Sequence, residues 1–195
     1  MIDLVFDAVR TGHMLCFAIG IGGAAFLELN VVRRFHHVIE EEGLRLMLFG
    51  HKLIKVALIG LWFTGLALLF LRLGVYGGSF SDKLGAKLVV VTLLTLNMLL
   101  IDRVVLVEIV RFEGAGVAEI PWLRRGRLGA IAGFSAGCWI AALLLGGIGY
   151  AKTMAAGELA AVLAPLLLGS AALGFGAALA AGWIRRPGYG LVPGE

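Results

Sequence analysis

The sequence predicts an all-α integral membrane bundle of five transmembrane helices, as a single domain over 1–195. Three observations carry this reading. Hydrophobic residues make up 60% of the 195, with a mean hydropathy of +0.96. A water-soluble domain of this size has too few polar residues to clothe so much apolar surface. The apolar residues fall into five stretches, Val5–Val32, Leu44–Leu71, Leu84–Val110, Leu128–Tyr150 and Leu159–Ile184. Each exceeds the ~20 residues that a helix needs to cross ~30 Å of hydrocarbon. Finally, the charged residues, 15% of the chain, fall mostly between these stretches, where the cost of insertion is smallest.

The first stretch is too long for a signal peptide. It carries Asp3 and Asp7 in place of a basic leader, and Glu28 and Asn30 follow where a small-residue cleavage site is needed. The second ends near Arg72, and Gly74, Gly77, Gly78, Ser79 and Ser81 break the chain before the third. Between the first and second, Phe35–Phe49 reads as a helical extension beyond the membrane or as a short interfacial stretch. Pro121 interrupts the loop ahead of the fourth and sets Trp122 near an interface. After the fifth, Pro187 and the glycine-rich tail cannot continue a helix.

Five spans divide the loops into two sets. Twelve cations lie on one side: Arg33, Arg34, Arg45, Lys52, Lys55, Arg103, Arg111, Arg124, Arg125, Arg127, Arg185 and Arg186. Five lie on the other: Arg10, Arg72, Lys83, Lys87 and Lys152. This asymmetry predicts an external N-terminus and a cytoplasmic C-terminus. It also accounts for the net charge of +4, so the charge does not imply a nucleic-acid partner. The lipid bilayer is the expected surrounding.

Small residues recur at helical spacing: Gly12, Cys16, Gly20 and Gly23 or Ala24 on the first span, Gly129, Gly133 and Gly137 on the fourth, Gly169 and Gly174 around Ser170 on the fifth. Such faces let helix backbones approach closely in lipid. They serve contacts within the bundle, a membrane-protein partner or a homo-oligomer. Cys16 and Cys138 read as small buried hydrophobes, without metal-type spacing. No internal repeat suggests the inverted halves of a transporter.

An ionisable group inside a span needs a partner or a purpose. His13, about two turns into the first span, shares a stripe with Phe17, Gly20 and Ala24, with Glu28 about 60° away. It is a candidate ligand for haem iron or another metal; the alternative is a histidine bonded to a neighbouring helix. His51 is a second metal candidate, read otherwise as a solvated interfacial residue beside Lys52. The two lie at different depths and cannot grip one haem. Glu28, Asp102 and Arg103 are expected to neutralise one another at the inner end of the bundle. The sharper alternative is a proton or cation path along Thr92, Thr95 and Asp102, with Asn97 near mid-depth.

Four segments resemble the HemJ-like protoporphyrinogen oxidases and the related CopD-type copper-resistance proteins: Gly12-His13, Arg33-Arg34-Phe35-His36-His37, Thr64-Gly65-Leu66 and Lys83 through Leu88. The resemblance covers roughly the first hundred residues. It implies a small protein of a bacterial-type inner (plasma) membrane, with haem b near His13 and an important role for Lys87. Where that family has a tryptophan after its first-span histidine, this chain has Phe17 or Ile21. Where it has an aromatic or histidine late in the third span, this chain has Asn97 and then Asp102. Three functions compete: haem-dependent redox or porphyrin chemistry, transport of a small solute or metal ion, and a non-catalytic subunit of a larger membrane complex.

Overall fold

The computed structural model describes residues 1–183. Its five long helices are each apolar and long enough to cross a membrane, and the chain is a multi-pass membrane protein. Helix α1 is Ile2–Arg33. Helix α2 runs from Glu41 through Phe70 and ends in a wide π turn, Leu71–Val75. Helix α3 starts at Asp82, widens into a second π turn at Ile101–Val105 and ends at Arg111. Helices α4 and α5 are Trp122–Gly147 and Ala156–Trp183. Among the described residues the only extended pairing is one bridge between Val38 and Gly116. The expected Ile184, Arg185, Arg186 and Pro187 lie outside the described residues.

Two helix ends differ from expectation for local reasons. Helix α4 starts at Trp122, directly after Pro121, and not at Leu128. Proline cannot donate a backbone hydrogen bond and is tolerated at a helix start. Arg124, Arg125 and Arg127 therefore ride on the first turns of α4 and not in a loop. The same helix stops at Gly147, where Ile148 turns extended, short of Tyr150. The segment after α1 is a turn followed by the Val38 bridge, and helix resumes at Glu41. Glu41 and Glu42 lie in its first turn, where negative charge complements the helix dipole.

The helices pack as α1 on α2 and α4 on α5, joined by α3 against α4. The glycines explain both pairs. A Cβ on Gly129 or Gly133 would meet the backbone of Gly174 or Ser170, and one on Gly137 would meet the Ser170 side chain. These faces are filled inside the chain, the α4 stripe against the α5 stripe. On α1, Gly20 receives the Trp139 ring of α4, Gly23 faces Ile54, and Cys16 faces Gly60 of α2. Trp139 is 2% exposed and lies 5.8 Å, centroid to centroid, from Phe17. Cys138 is fully buried and Cys16 half-buried, both free, as small hydrophobes.

At the end that holds Met1, α3 fastens the α4–α5 connection. The Lys83 ammonium donates to the Ile148 carbonyl (2.7 Å), and Asp82 accepts the Ala156 amide (2.9 Å). A cation at a helix C-terminus and an anion at an N-terminus both favour the dipoles they meet. Nearby, Tyr76 donates to Asp3 (2.7 Å), and that carboxylate pushes the phenol above its usual range. At the opposite end the two connecting loops are tied by Ile39 N–H to Ala115 O, Gly114 N–H to Ile39 O and Ala118 N–H to Phe35 O. Gly114 takes a φ of +83°, which only glycine adopts readily.

Candidate functional site

The hydrogen-bonded polar residues within the spans form three tiers along α1, α2 and α3. The first tier, toward the Met1 end, is His13. Its Nδ1 lies 2.8 Å from Thr64 Oγ1, and that hydroxyl lies 2.6 Å from the Gly60 carbonyl. A threonine hydroxyl has one proton. Given to Gly60, it leaves Thr64 to accept from Nδ1–H, so Nε2 keeps its lone pair. The imidazole passes close over Gly65, where a Cβ would come within 3.3 Å of the ring. Lys87 is exposed and within electrostatic reach of His13, Lys83, Arg72 and Lys152. His13, Thr64-Gly65 and Lys87 thus lie toward the Met1 end, while Arg33-Arg34-Phe35-His36-His37 lies at the opposite end. Lys83 is different: it is buried and engaged as a structural cap.

The middle tier holds helices together. Trp62 Nε1–H donates to Thr95 Oγ1 (2.9 Å), and Thr95 donates back to Val91 O. Asn97, 3% exposed, donates to Ile131 O of α4 (3.2 Å). Thr92 faces outward and bonds its own helix at Leu88 O. It therefore drops out of the path expected along Thr92, Thr95 and Asp102. Leu58, Leu94 and Met98, all buried, belong to the core at this level.

The third tier is a triad. His51 Nε2 lies 2.8 Å from Asp102 Oδ1, and Lys55 Nζ lies 2.8 Å from Oδ2 and 3.1 Å from Oδ1. Two expectations are corrected here. His51 is not a solvated interfacial residue: it is 6% exposed and bonded across to α3. Asp102 does not pair with Arg103 or Glu28, but with Lys55 and His51. Consecutive helical residues point about 100° apart, so burying Asp102 against α2 turns Arg103 outward, where it is exposed. Glu28 is half-buried and has no hydrogen-bond or ion-pair partner among the described residues. Asp102 lies within the π turn, which inserts an extra residue into the helical register; such turns recur at functional sites.

Depth follows from helix rise. His51 is ten residues from the start of α2, and Asp102 nine from the end of α3, both roughly 15 Å along the axis. These helices, at ~1.5 Å per residue, exceed ~30 Å of hydrocarbon by several turns. The triad therefore sits just inside the apolar layer at the end opposite Met1. His13 bonds α2 thirteen residues beyond His51, about 20 Å away along the helix, so the two histidines cannot share a metal. No group of three or more His, Cys, Asp or Glu side chains suited to a metal ion occurs among the described residues.

The triad joins an imidazole and an ammonium through one carboxylate, an arrangement of groups that can hold and pass a proton. Two further ionic features had no sequence signal. Glu108, whose side chain is 13% exposed, holds Arg124 (2.9 Å) and Arg111 (3.4 Å). Arg125 is 6% exposed and donates to the carbonyls of Ala178, Ala118 and Ile120, beneath the Phe35 ring. In sequence, Arg125 is indistinguishable from Arg124 and Arg127, which are exposed.

No family model matches this chain, and neither a curated protein nor a solved structure shows significant similarity to it.

Proposed function

We propose that the protein is a proton-coupled membrane transporter of a small solute or metal ion, with His51, Lys55 and Asp102 as its proton-handling site. The observation that carries this reading is a buried histidine and a lysine sharing one carboxylate inside the spans. Ionisable groups at that depth are costly, and they mark ion and proton routes in membrane proteins. The buried, apolar Leu58 on α2 and Met98 on α3 come between the triad and the Trp62–Thr95 pair along the two helices. Such a barrier suits a gated route and opposes a continuous water file. A pH-step infrared difference spectrum of the protein in lipid tests the site. It should contain a histidine signal that disappears in His51→Gln and changes in Asp102→Asn. Spectra unchanged in both variants would remove the triad from any proton chemistry.

A second reading is haem b binding with redox or porphyrin chemistry, and a specific observation favours it. With its own proton given to Gly60, Thr64 accepts from His13 Nδ1–H and leaves the Nε2 lone pair for a ligand bond, the arrangement an axial imidazole needs. Lys87 supplies a cation for a propionate at the same end, reaching the interface on its flexible stem. This donor set fits the group, and it agrees with the resemblance of the first hundred residues to HemJ-like and CopD-type proteins. Bound haem would supply one-electron chemistry; the chain would supply the ligand and the counter-charge. The wild type should then show a Soret band that is lost in His13→Ala and kept in His51→Ala. A colourless wild type, or a band indifferent to His13, excludes this reading.

The twelve-to-five division of cations supports an orientation with the N-terminus outside a bacterial-type inner membrane. Reporter fusions after Gly78 and after Gly114 should then give opposite compartment signals. The same signal from both would contradict it.

A further inference from the structure

We propose that the crevice between α3 and α4, at the end opposite Met1, binds the phosphate headgroup of an anionic phospholipid. The crevice has a volume of about 280 Å³ and is lined by Val104, Glu108, Arg124, Arg127 and Leu128. Its charge is unbalanced. Arg124 and Arg127 face one carboxylate, and Arg111 also draws on that carboxylate from outside the lining. Arg127 has no carboxylate partner among the described residues and is exposed. A guanidinium presents paired donors that match phosphate oxygens, in a planar fork that an ammonium lacks.

The walls fit a lipid better than a water-soluble anion. Val104 and Leu128 give the crevice apolar sides, where the first carbons of an acyl chain can lie. Arg127 is five residues from the start of α4, about 8 Å along the axis. Trp122 and Leu123, 61% and 60% exposed, stand on the same turns. An exposed tryptophan beside arginines on the first turns of a span is the composition of the headgroup layer. Basic pockets between membrane helices at this level suit anionic headgroups. The site is independent of the triad and of His13.

The test is native mass spectrometry of the purified full chain. Phosphatidylglycerol and phosphatidylcholine of matched acyl chains are each added to the delipidated protein. The wild type should retain phosphatidylglycerol selectively. Arg127→Gln should lower that retention about fivefold, the effect of one interfacial cation, and Arg127→Lys should restore only part of it, keeping the charge and losing the fork. Val104→Phe, which fills the crevice from α3, should also lose it. Arg45→Gln removes an exposed arginine at the same end that is paired with Glu41, and should change nothing. Equal retention of the two lipids, or retention unaffected by both Arg127→Gln and Val104→Phe, overturns the proposal. So does inorganic phosphate alone, if it raises the melting temperature as much as phosphatidylglycerol does: the ligand is then a free anion.

Discussion

Replacing Arg125 by leucine should lower stability by about 3–4 kcal/mol, the largest effect of any single side-chain loss here. The guanidinium is 6% exposed and donates to Ala178 O on α5, and to Ala118 O and Ile120 O in the 112–121 loop. It also lies 5.9 Å from the centroid of the Phe35 ring, from the other loop. One side chain thus ties α4, α5 and both connections at this end. Hydrogen bonds from a charged donor contribute roughly 1.5–3 kcal/mol each, and a buried carbonyl left unpaired costs about 1–3. Their sum is partly recovered by the apolar leucine and by water reaching the loop. Thermal unfolding in detergent reads the loss. Arg127→Leu, two residues away but exposed, should stay within about 0.5 kcal/mol of the wild type, as surface substitutions do. Equal losses in both would mean that Arg125 is no keystone.

Gly133→Val should cost roughly 3 kcal/mol, at the upper end of overpacking penalties. A Cβ there would meet the Ser170 carbonyl and the Gly174 Cα. Both are backbone atoms of α5, so no side-chain rotation relieves the contact and the two helices must part. Gly129 and Gly137 would then lose their own close approaches to Gly174 and Ser170. Gly169→Val is the comparison: nothing lies within 4 Å of a Cβ at that position, and it should unfold near the wild type. Indistinguishable melting curves for the two variants would exclude a close α4–α5 seam.

The contrast between those glycines marks where sequence ran out. The stripe Gly129, Gly133 and Gly137 was legible as a packing face, and it packs. Gly169 belongs to the same pattern and touches nothing, because spacing gives a face without saying what stands opposite. The five spans were legible because hydrophobicity over some twenty residues is a strong signal. Helix α4 starts six residues before the expected Leu128 because arginines on its first turns look like a loop; their long stems let a helix carry them to the interface. The π turn at Ile101–Val105 has no signature in composition. Residue spacing does not say which helix stands opposite, so the expected set is Glu28, Asp102 and Arg103, whereas Asp102 meets His51 and Lys55 of α2. His13 is legible as an ionisable residue inside a span, and its contact with Thr64 is not.

Proton movement through the His51–Lys55–Asp102 site is the central claim, and flux into liposomes measures it most directly. Purified protein is reconstituted into vesicles that enclose a pH-sensitive dye, and an acid step is applied outside. With the transported solute or ion unknown, a panel of metal ions and small organic solutes is added in turn. The wild type should acidify the lumen faster than protein-free vesicles with at least one of them. Asp102→Asn and His51→Gln, if they keep the wild-type melting temperature, should fall to the protein-free rate. Wild-type vesicles no faster than empty ones across the panel, or Asp102→Asn vesicles as fast as the wild type, would contradict the account.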